Sequence, residues 1–526
     1  MLTLLLMSVL TLAFNVQPAK ASGTIYIRAD GSIDPPTAPI STVDNVTYTF
    51  TGNIYDEILV ERDNIIVDGA GHTVQGLGGI GIGINLSGRK NVTVRNMEVR
   101  AFSTGIDLSD SSDNSIVENN IIGNYWGNGI QLGGFYNNVS GNNITANGLA
   151  GIWISGFYNN VSSNNITQNV QFGIRLYSSS NNFIIGNNIT NNAPYEGIYA
   201  TDNSNNLVIM NNNISFNGDE NVHMLQSSNS IIANNVMSNS GNNGFYLWYS
   251  FNNIIVNNTI TNNPNNAVNV WYYSQNNILS GNLISNSDNG IHVDNYSSNT
   301  TIISNNITNN THYGITSYWF SSETAIINNT ITNNGNVADF DPNVGDAGIL
   351  LMDASYSAVM ENIVANNTGH GVILWMSYHS NVARNIITRN AESGVYLFHA
   401  FWGGHTPTSY STVIGNTITE NLYGIYLRYS SNGTIYHNNF INNTNQVYSE
   451  QAVNVWDDGY PSGGNYWSDY TGVDLYNGPY QNVTGSDGVG DTPYVIDSCN
   501  KDNYPFMSQN GWQNHPISIE SNTTIT

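Results

Sequence analysis

A phrase close to Gly-Ile-x-Leu, a few polar residues, then Asn-Asn-x-Ile-x-x-Asn-Asn recurs from about residue 105 to residue 445, at roughly 22 to 25 residues per repeat. It can be read at Gly129-Ile130 with Asn143-Ile144, at Gly151-Ile152 with Asn165-Ile166, and at Gly173-Ile174 with Asn188-Ile189. It continues through Gly290-Ile291, Gly314-Ile315, Gly348-Ile349 and Gly394-Val395 to Gly424-Ile425. A fixed period of this length predicts a solenoid. Within a repeat, short apolar-alternating pieces (Ile152 and Ile154, then Val161, then Ile166) are separated by Asn, Ser and Gly, which is a strand-and-bend pattern. Each coil is therefore expected to hold three short strands. One coil cannot bury its apolar face alone, so neighbours must stack as parallel strands about 4.8 Å apart around a core of Ile, Val and Leu. Asn suits the bends, because it tolerates left-handed backbone geometry and its amides can hydrogen-bond from coil to coil. The expectation is an all-β chain, a right-handed parallel β-helix. Leucine-rich, ankyrin and TPR architectures need a Leu framework or helical periodicity that this pattern lacks.

The register of the repeat sets the domain boundaries. Residues 1–21 read as a signal peptide, 22–76 as an N-terminal cap, 77–450 as the β-helix, 451–510 as a C-terminal module rich in Asp, Gly and aromatics, and 511–526 as a tail. The signal reading rests on the apolar run Leu2 to Phe14 followed by Ala19-Lys20-Ala21, a small-x-small cleavage site, and implies a secreted or cell-surface protein. No later stretch reaches the length of a membrane span. Sequons such as Asn138-Val139-Ser140 and Asn306-Ile307-Thr308 fit an extracellular chain, although the repeat generates them automatically. Acidic residues outnumber basic ones 37 to 12, giving a net charge of -25, so a nucleic-acid partner is disfavoured and an anionic polymer would need a bridging cation. The single cysteine, Cys499, excludes an internal disulfide framework.

Strand alternation sends the Ile of each Gly-Ile and the residue two later inward, and the residues one and three later outward. The outward positions contain Trp153, Tyr177, Tyr199, Tyr246, Trp248, Trp271, Tyr318, Trp375, Tyr396, Phe398 and Tyr426. Flat rings at near-regular spacing suit stacking on sugar rings, with Arg175, His223, His292, Asp294 and Arg428 available for hydroxyls. The first functional expectation is accordingly a binder of polysaccharide or cell-surface glycan, or an adhesin or envelope scaffold. Shielding of the sheet or self-association is the structural alternative.

Two repeats carry extra segments, near Gly335 to Gly345 and Ala400 to Ser411, which are expected to wall a cleft. Asp346 and Glu392 each lie three residues before their strand's first inward residue with one coil between them, and His370 sits in that coil. Two rises put the backbones about 10 Å apart, so the carboxyls could reach the roughly 6.5 to 9.5 Å separation of an inverting glycosidase. Asp339, Asp341, His399, Trp402 and His405 lie on or beside the extra segments. In the C-terminal module, Asp487-Gly488-Val489-Gly490-Asp491 offers hard oxygens among glycines, so Asp487 and Asp491 are candidate calcium ligands, with no cofactor otherwise required.

From Thr24-Ile25-Tyr26-Ile27 through Val60-Glu61-Arg62-Asp63-Asn64-Ile65-Ile66-Val67-Asp68-Gly69 to the repeats and Asn465-Tyr466-Trp467-Ser468-Asp469-Tyr470, the chain resembles archaeal NosD-like proteins of the carbohydrate-binding and sugar-hydrolase β-helix group. The resemblance implies a β-helix and export. The founding NosD role, accessory to copper maturation, would call for clustered soft or imidazole ligands, whereas His and Met are scattered here and His223-Met224 is an isolated pair. Gly369-His370-Gly371 is similar to one short motif of polygalacturonases, without that family's paired-Asp and later basic motifs.

Overall fold

The computed structural model describes residues 23–335, 345–399 and 409–514. The expected signal peptide, most of both extra segments with Asp339, Asp341, Trp402 and His405, and most of the tail lie outside the described residues. The chain winds into about 18 stacked coils of a right-handed parallel β-helix. Each regular coil contributes one strand to each of three parallel sheets, for example Ile174–Tyr177, Phe183–Ile185 and Asn188–Thr190. Ile152 pairs with Ile174 and Ile174 with Ile198, and all three are fully buried in one inward column.

The repeated phrase has a packing reason at each position. A Cβ on Gly173 would sit 2.5 Å from the carbonyl oxygen of Gly197 and 2.5 Å from Ile189 Cγ2, so close approach favours Gly before the inward residue, although Asn221 and Ala267 take that place on two coils. The paired Asn residues divide two tasks, coil-to-coil hydrogen bonding and the left-handed bend, between them. The second Asn of each pair is buried and builds a ladder that runs unbroken from Asn119 to Asn465. The residue before it takes the left-handed conformation, and there Asn257 (φ 55), Ser163 (φ 56), Gly186 (φ 67) and even Arg384 (φ 56) serve alike.

Parallel pairing already begins inside the segment read as an N-terminal cap. Thr24–Ile27 pairs in parallel with Glu57–Val60, which pairs with Ile82–Asn85, while Ile33–Asp34 and Ile40–Ser41 add antiparallel edges. At the other end Asn445–Glu450 is the last strand of the first sheet, and Tyr466–Trp467 continues the third. Antiparallel hairpins then close the stack: Trp467 lies between Phe440 at 4.4 Å and Tyr494 at 4.2 Å, a lid of rings over the open end of the core. Among the described residues no helix is long and apolar enough to cross a membrane.

Candidate functional site on the outer face of the first sheet

The first sheet turns its outward columns to solvent, and most of the predicted rings are less available than the alternation alone suggests. Tyr177 is exposed, Trp153, Tyr199, Trp248, Trp271, Tyr318, Trp375 and Tyr426 are half-buried, and Tyr246, Tyr396 and Phe398 are buried. The correction for the last three has a simple cause. Rings on successive strands cover one another, and between Tyr313 and Tyr429 they join outward-facing Leu350 and Ile373 in a second apolar cluster outside the coil. Further exposed rings lie on the bend after the first sheet. There Tyr273, Tyr296 and Phe320 stack at 5.1 and 5.4 Å, and Tyr356, His379 and Tyr410 at 5.1 and 5.2 Å. Planes within 17° of one another mean that these rings use their faces on each other. Sequence reading missed them because they sit in Asn- and Ser-rich bends.

The same face holds a buried polar cluster. Ile198 is in register with Val222, so Glu196 and Glu220, each two residues earlier, occupy one column on adjacent coils. His223, the outward residue after Val222, swings back to place Nδ1 3.0 Å from Glu196 Oε1 and 4.0 Å from Glu220 Oε2. Glu196 is 6% exposed, Glu220 3% and His223 9%. The imidazole is flanked by Tyr199 and Tyr246, with ring centroids 5.0 and 4.7 Å away. Asn242 and Asn243 each donate to Glu220 Oε1 at 3.0 Å, and the Asn243 column continues through Asn266 and Asn289. Burial pushes the Glu220 carboxyl up to about 7, against the opposing pull of the Asn243 amide and His223. Of these three residues the sequence singled out only His223; the register of two glutamates a coil apart was the signal for the others.

His292 and Asp294 face each other at 3.4 Å, Arg428 pairs with Glu450 at 3.2 Å, and Arg175 lies over the Trp153 ring at 4.4 Å. Asp346 and Glu392 share one register column with Gly369 between them, because Ala347 pairs with His370 and Val372 with Val395. Their surroundings differ. Asp346 is buried with Oδ1 3.3 Å from His312 Nδ1 on the preceding coil, away from Glu392, which is exposed. His312 Nε2 in turn meets Asp288 at 3.3 Å. His370 Nδ1 lies 2.6 Å from Ser393 Oγ, and burial pushes its pKa down to about 4. In the C-terminal module Asp491 accepts the amides of Leu475 and Tyr476 at 2.9 and 3.0 Å, while Asp487 accepts those of Val489 and Gly478 at 3.1 and 3.3 Å. These carboxylates pin backbone turns.

Comparison with known proteins follows the same outline. The family described as periplasmic copper-binding protein (NosD) matches residues 37–197, 155–223 and 340–472, more than half of the chain, and the right-handed beta helix region matches 196–340. The chain belongs to the NosD family. Among solved structures, a mutant of the periplasmic alginate epimerase AlgG is similar at 14% identity and TM-score 0.42, covering 67% of this chain and 80% of that one. The A-module of an Azotobacter vinelandii mannuronan C-5 epimerase aligns at 14% identity and TM-score 0.33, over 72% of this chain and 91% of that one. An alginate lyase from a Paenibacillus species aligns at 14% identity and TM-score 0.32, over 57% and 96%. No curated protein matches the chain.

The copper description can be set against the donors present. Met224 is fully buried in the core while His223 projects from the opposite side of the same strand, so this adjacent pair cannot close on one ion. Cys499 is exposed and far along the chain. The three-donor cluster found among the described residues is Glu196, Glu220 and His223, an oxygen-rich set unlike the thiolate and thioether ligands that select cuprous copper.

Proposed function

We propose that this NosD-family protein is an exported β-helix that binds an extended glycan along the outer face of its first sheet. The observation that carries the reading is the difference between two kinds of aromatic column. On the bends Tyr273, Tyr296 and Phe320 stack nearly parallel, as do Tyr356, His379 and Tyr410, whereas on the sheet Trp248 and Trp271 meet at 58° and Trp153 and Tyr177 at 35°, half-exposed or exposed. Tilted rings turn part of a face to solvent, which is what a sugar ring needs for stacking. From Trp153 to Trp271 is five coil steps, about 24 Å, which suits a polymer better than a single sugar. Neighbouring Asn269, His292 and Asp294 supply groups for hydroxyls. Export is supported by the Leu2 to Phe14 run with its Ala19-Lys20-Ala21 site and by the family's periplasmic description.

The test is retention of the mature chain in gels containing individual polysaccharides, with Trp248→Ala and Trp271→Ala beside it. We expect at least tenfold weaker retention with little change in melting, because a half-exposed ring contributes less to the core than to a ligand. Unchanged retention on every polysaccharide that holds the parent chain would overturn the reading. A shift from dimer to monomer in the variants would assign these rings to self-association.

A further inference from the structure

The outer column that begins with Glu196 changes character partway along the helix. Asn289 donates to Asn266, Asn266 to Asn243 and Asn243 to Glu220, so successive amides extend one hydrogen-bonded file across neighbouring coils. At its end the file does not continue with Asn. Two carboxylates occupy consecutive positions instead, where like charges on adjacent strands repel, and both are more than nine-tenths buried. The single nearby imidazole cannot satisfy both. His223 Nδ1 is within hydrogen-bond distance of Glu196 Oε1 and lies 4.0 Å from Glu220 Oε2. The second oxygen of Glu196 and Nε2 of His223 are sealed from solvent and have no hydrogen-bond partner among the described residues. A buried acceptor left in that condition has lost its hydration with nothing in exchange.

We propose that Glu196, Glu220 and His223 form a binding site for a divalent cation of the zinc or manganese type. One ligand atom from each residue lies within 4.8 Å of the others, close enough for a single ion to bridge them after small side-chain adjustments. An ion of charge +2 cancels both carboxylates, turns the repelling column into an attractive one and gives the unpartnered Glu196 oxygen a cation to coordinate. The rings of Tyr199 and Tyr246 restrict the imidazole from either side, as the surroundings of a ligating histidine do. The Asn242 and Asn243 amides hold Glu220 by its Oε1, leaving Oε2 on the side of His223. Three protein ligands leave a further coordination position for water or a ligand oxygen. The cluster stands independently of the glycan reading.

The experiment uses the full mature chain stripped with chelator and then dialysed against zinc chloride or manganese chloride alone. Zinc or manganese is expected to bind at one equivalent per chain and to raise the melting temperature. Cobalt chloride is expected to give a d–d absorption band. Glu196→Gln and His223→Gln should each weaken binding at least tenfold and abolish the cobalt band, while Glu420→Gln, at an exposed carboxylate on a remote coil, should retain both. Circular dichroism of the metal-free variants checks that the coils remain. Because Glu196→Gln removes a buried like charge, its metal-free melting temperature should match or exceed that of the parent. Failure of the parent chain to bind either ion, or equal binding in the Glu196 and His223 variants, overturns the proposal. Binding of cuprous ion in place of zinc and manganese would overturn the assignment of ligand class.

Discussion

Exchanging two adjacent asparagines should have very different consequences. Asn258 belongs to the long buried ladder: its Nδ2 donates to Ile232 O at 2.9 Å and to Asn282 Oδ1 at 3.1 Å. Its Oδ1 accepts Asn235 N at 2.9 Å and Asn235 Nδ2 at 3.0 Å. Asn258→Ala deletes all of these and leaves the buried Asn235 amide without its acceptor. At about 1–3 kcal/mol for each buried group left unsatisfied, the substitution should cost about 3–5 kcal/mol. Asn257 is exposed with φ 55 and needs only to hold the left-handed bend, so Asn257→Gly should change stability by less than about 1 kcal/mol. Because solenoid stability is a sum over coils and their neighbours, the damage should be local. Hydrogen exchange of the Asn235 amide should accelerate about 100-fold in Asn258→Ala, the equivalent of about 3 kcal/mol, while coils near Asn438 keep their protection. Equal costs at the two positions, or a loss at Asn258 below about 1 kcal/mol, would refute the division of labour within the Asn pair.

Acid should weaken the coil containing His399. That side chain is 2% exposed, packs against the Tyr378 ring at 5.2 Å, and burial pushes its pKa down from the usual value to about 4. A base with a depressed folded pKa stabilises the fold fully above about pH 6.5 and loses that contribution as pH falls toward 4, by up to about 3 kcal/mol. Melting of His399→Phe should therefore fall less than that of the parent between pH 7 and pH 4.5, and parallel curves would show that His399 is not the titrating group. In the C-terminal module, calcium is expected to leave the melting temperature unchanged, because Asp487 and Asp491 already accept backbone amides. A calcium-dependent rise that disappears in Asp487→Asn would instead assign these residues as calcium ligands.

The β-helix was legible because its constraints repeat. Gly before the inward residue, an aliphatic side chain within the core and Asn at the corner recur in most coils, so successive repeats are independent readings of the same packing problem. Alternation also placed the outward columns correctly, and the register of Asp346, Gly369 and Glu392 follows from it. Exposure was less legible. Whether an outward ring is open depends on the rings above and below it, and alternation assigns Tyr396 and Tyr177 the same status although one is buried and the other exposed. Chemistry was hardest to see, since Glu196 and Glu220 are 24 residues apart and unremarkable singly; only the pairing of Ile198 with Val222 makes them neighbours.

That pairing yields a last prediction, in which stability and the proposed site oppose one another. The Asn289, Asn266 and Asn243 amides point along one column toward Glu220, so an Asn at position 220 would extend the file with a side chain already used there on later coils. Glu220→Asn removes one of two buried carboxylates from the column and keeps an oxygen that can accept the Asn243 amide. Replacing buried charges by groups that fit their surroundings is often stabilising by about 1–4 kcal/mol, and the lower half of that range is expected here because the side chain is shorter. In chelator at pH 8 the variant should melt above the parent. Adding zinc should reverse the order, since the parent gains binding energy that the variant has lost. A variant that melts below the parent in chelator would mean that Glu220 is needed for packing, and that the carboxylate column is part of the scaffold instead of a departure from it.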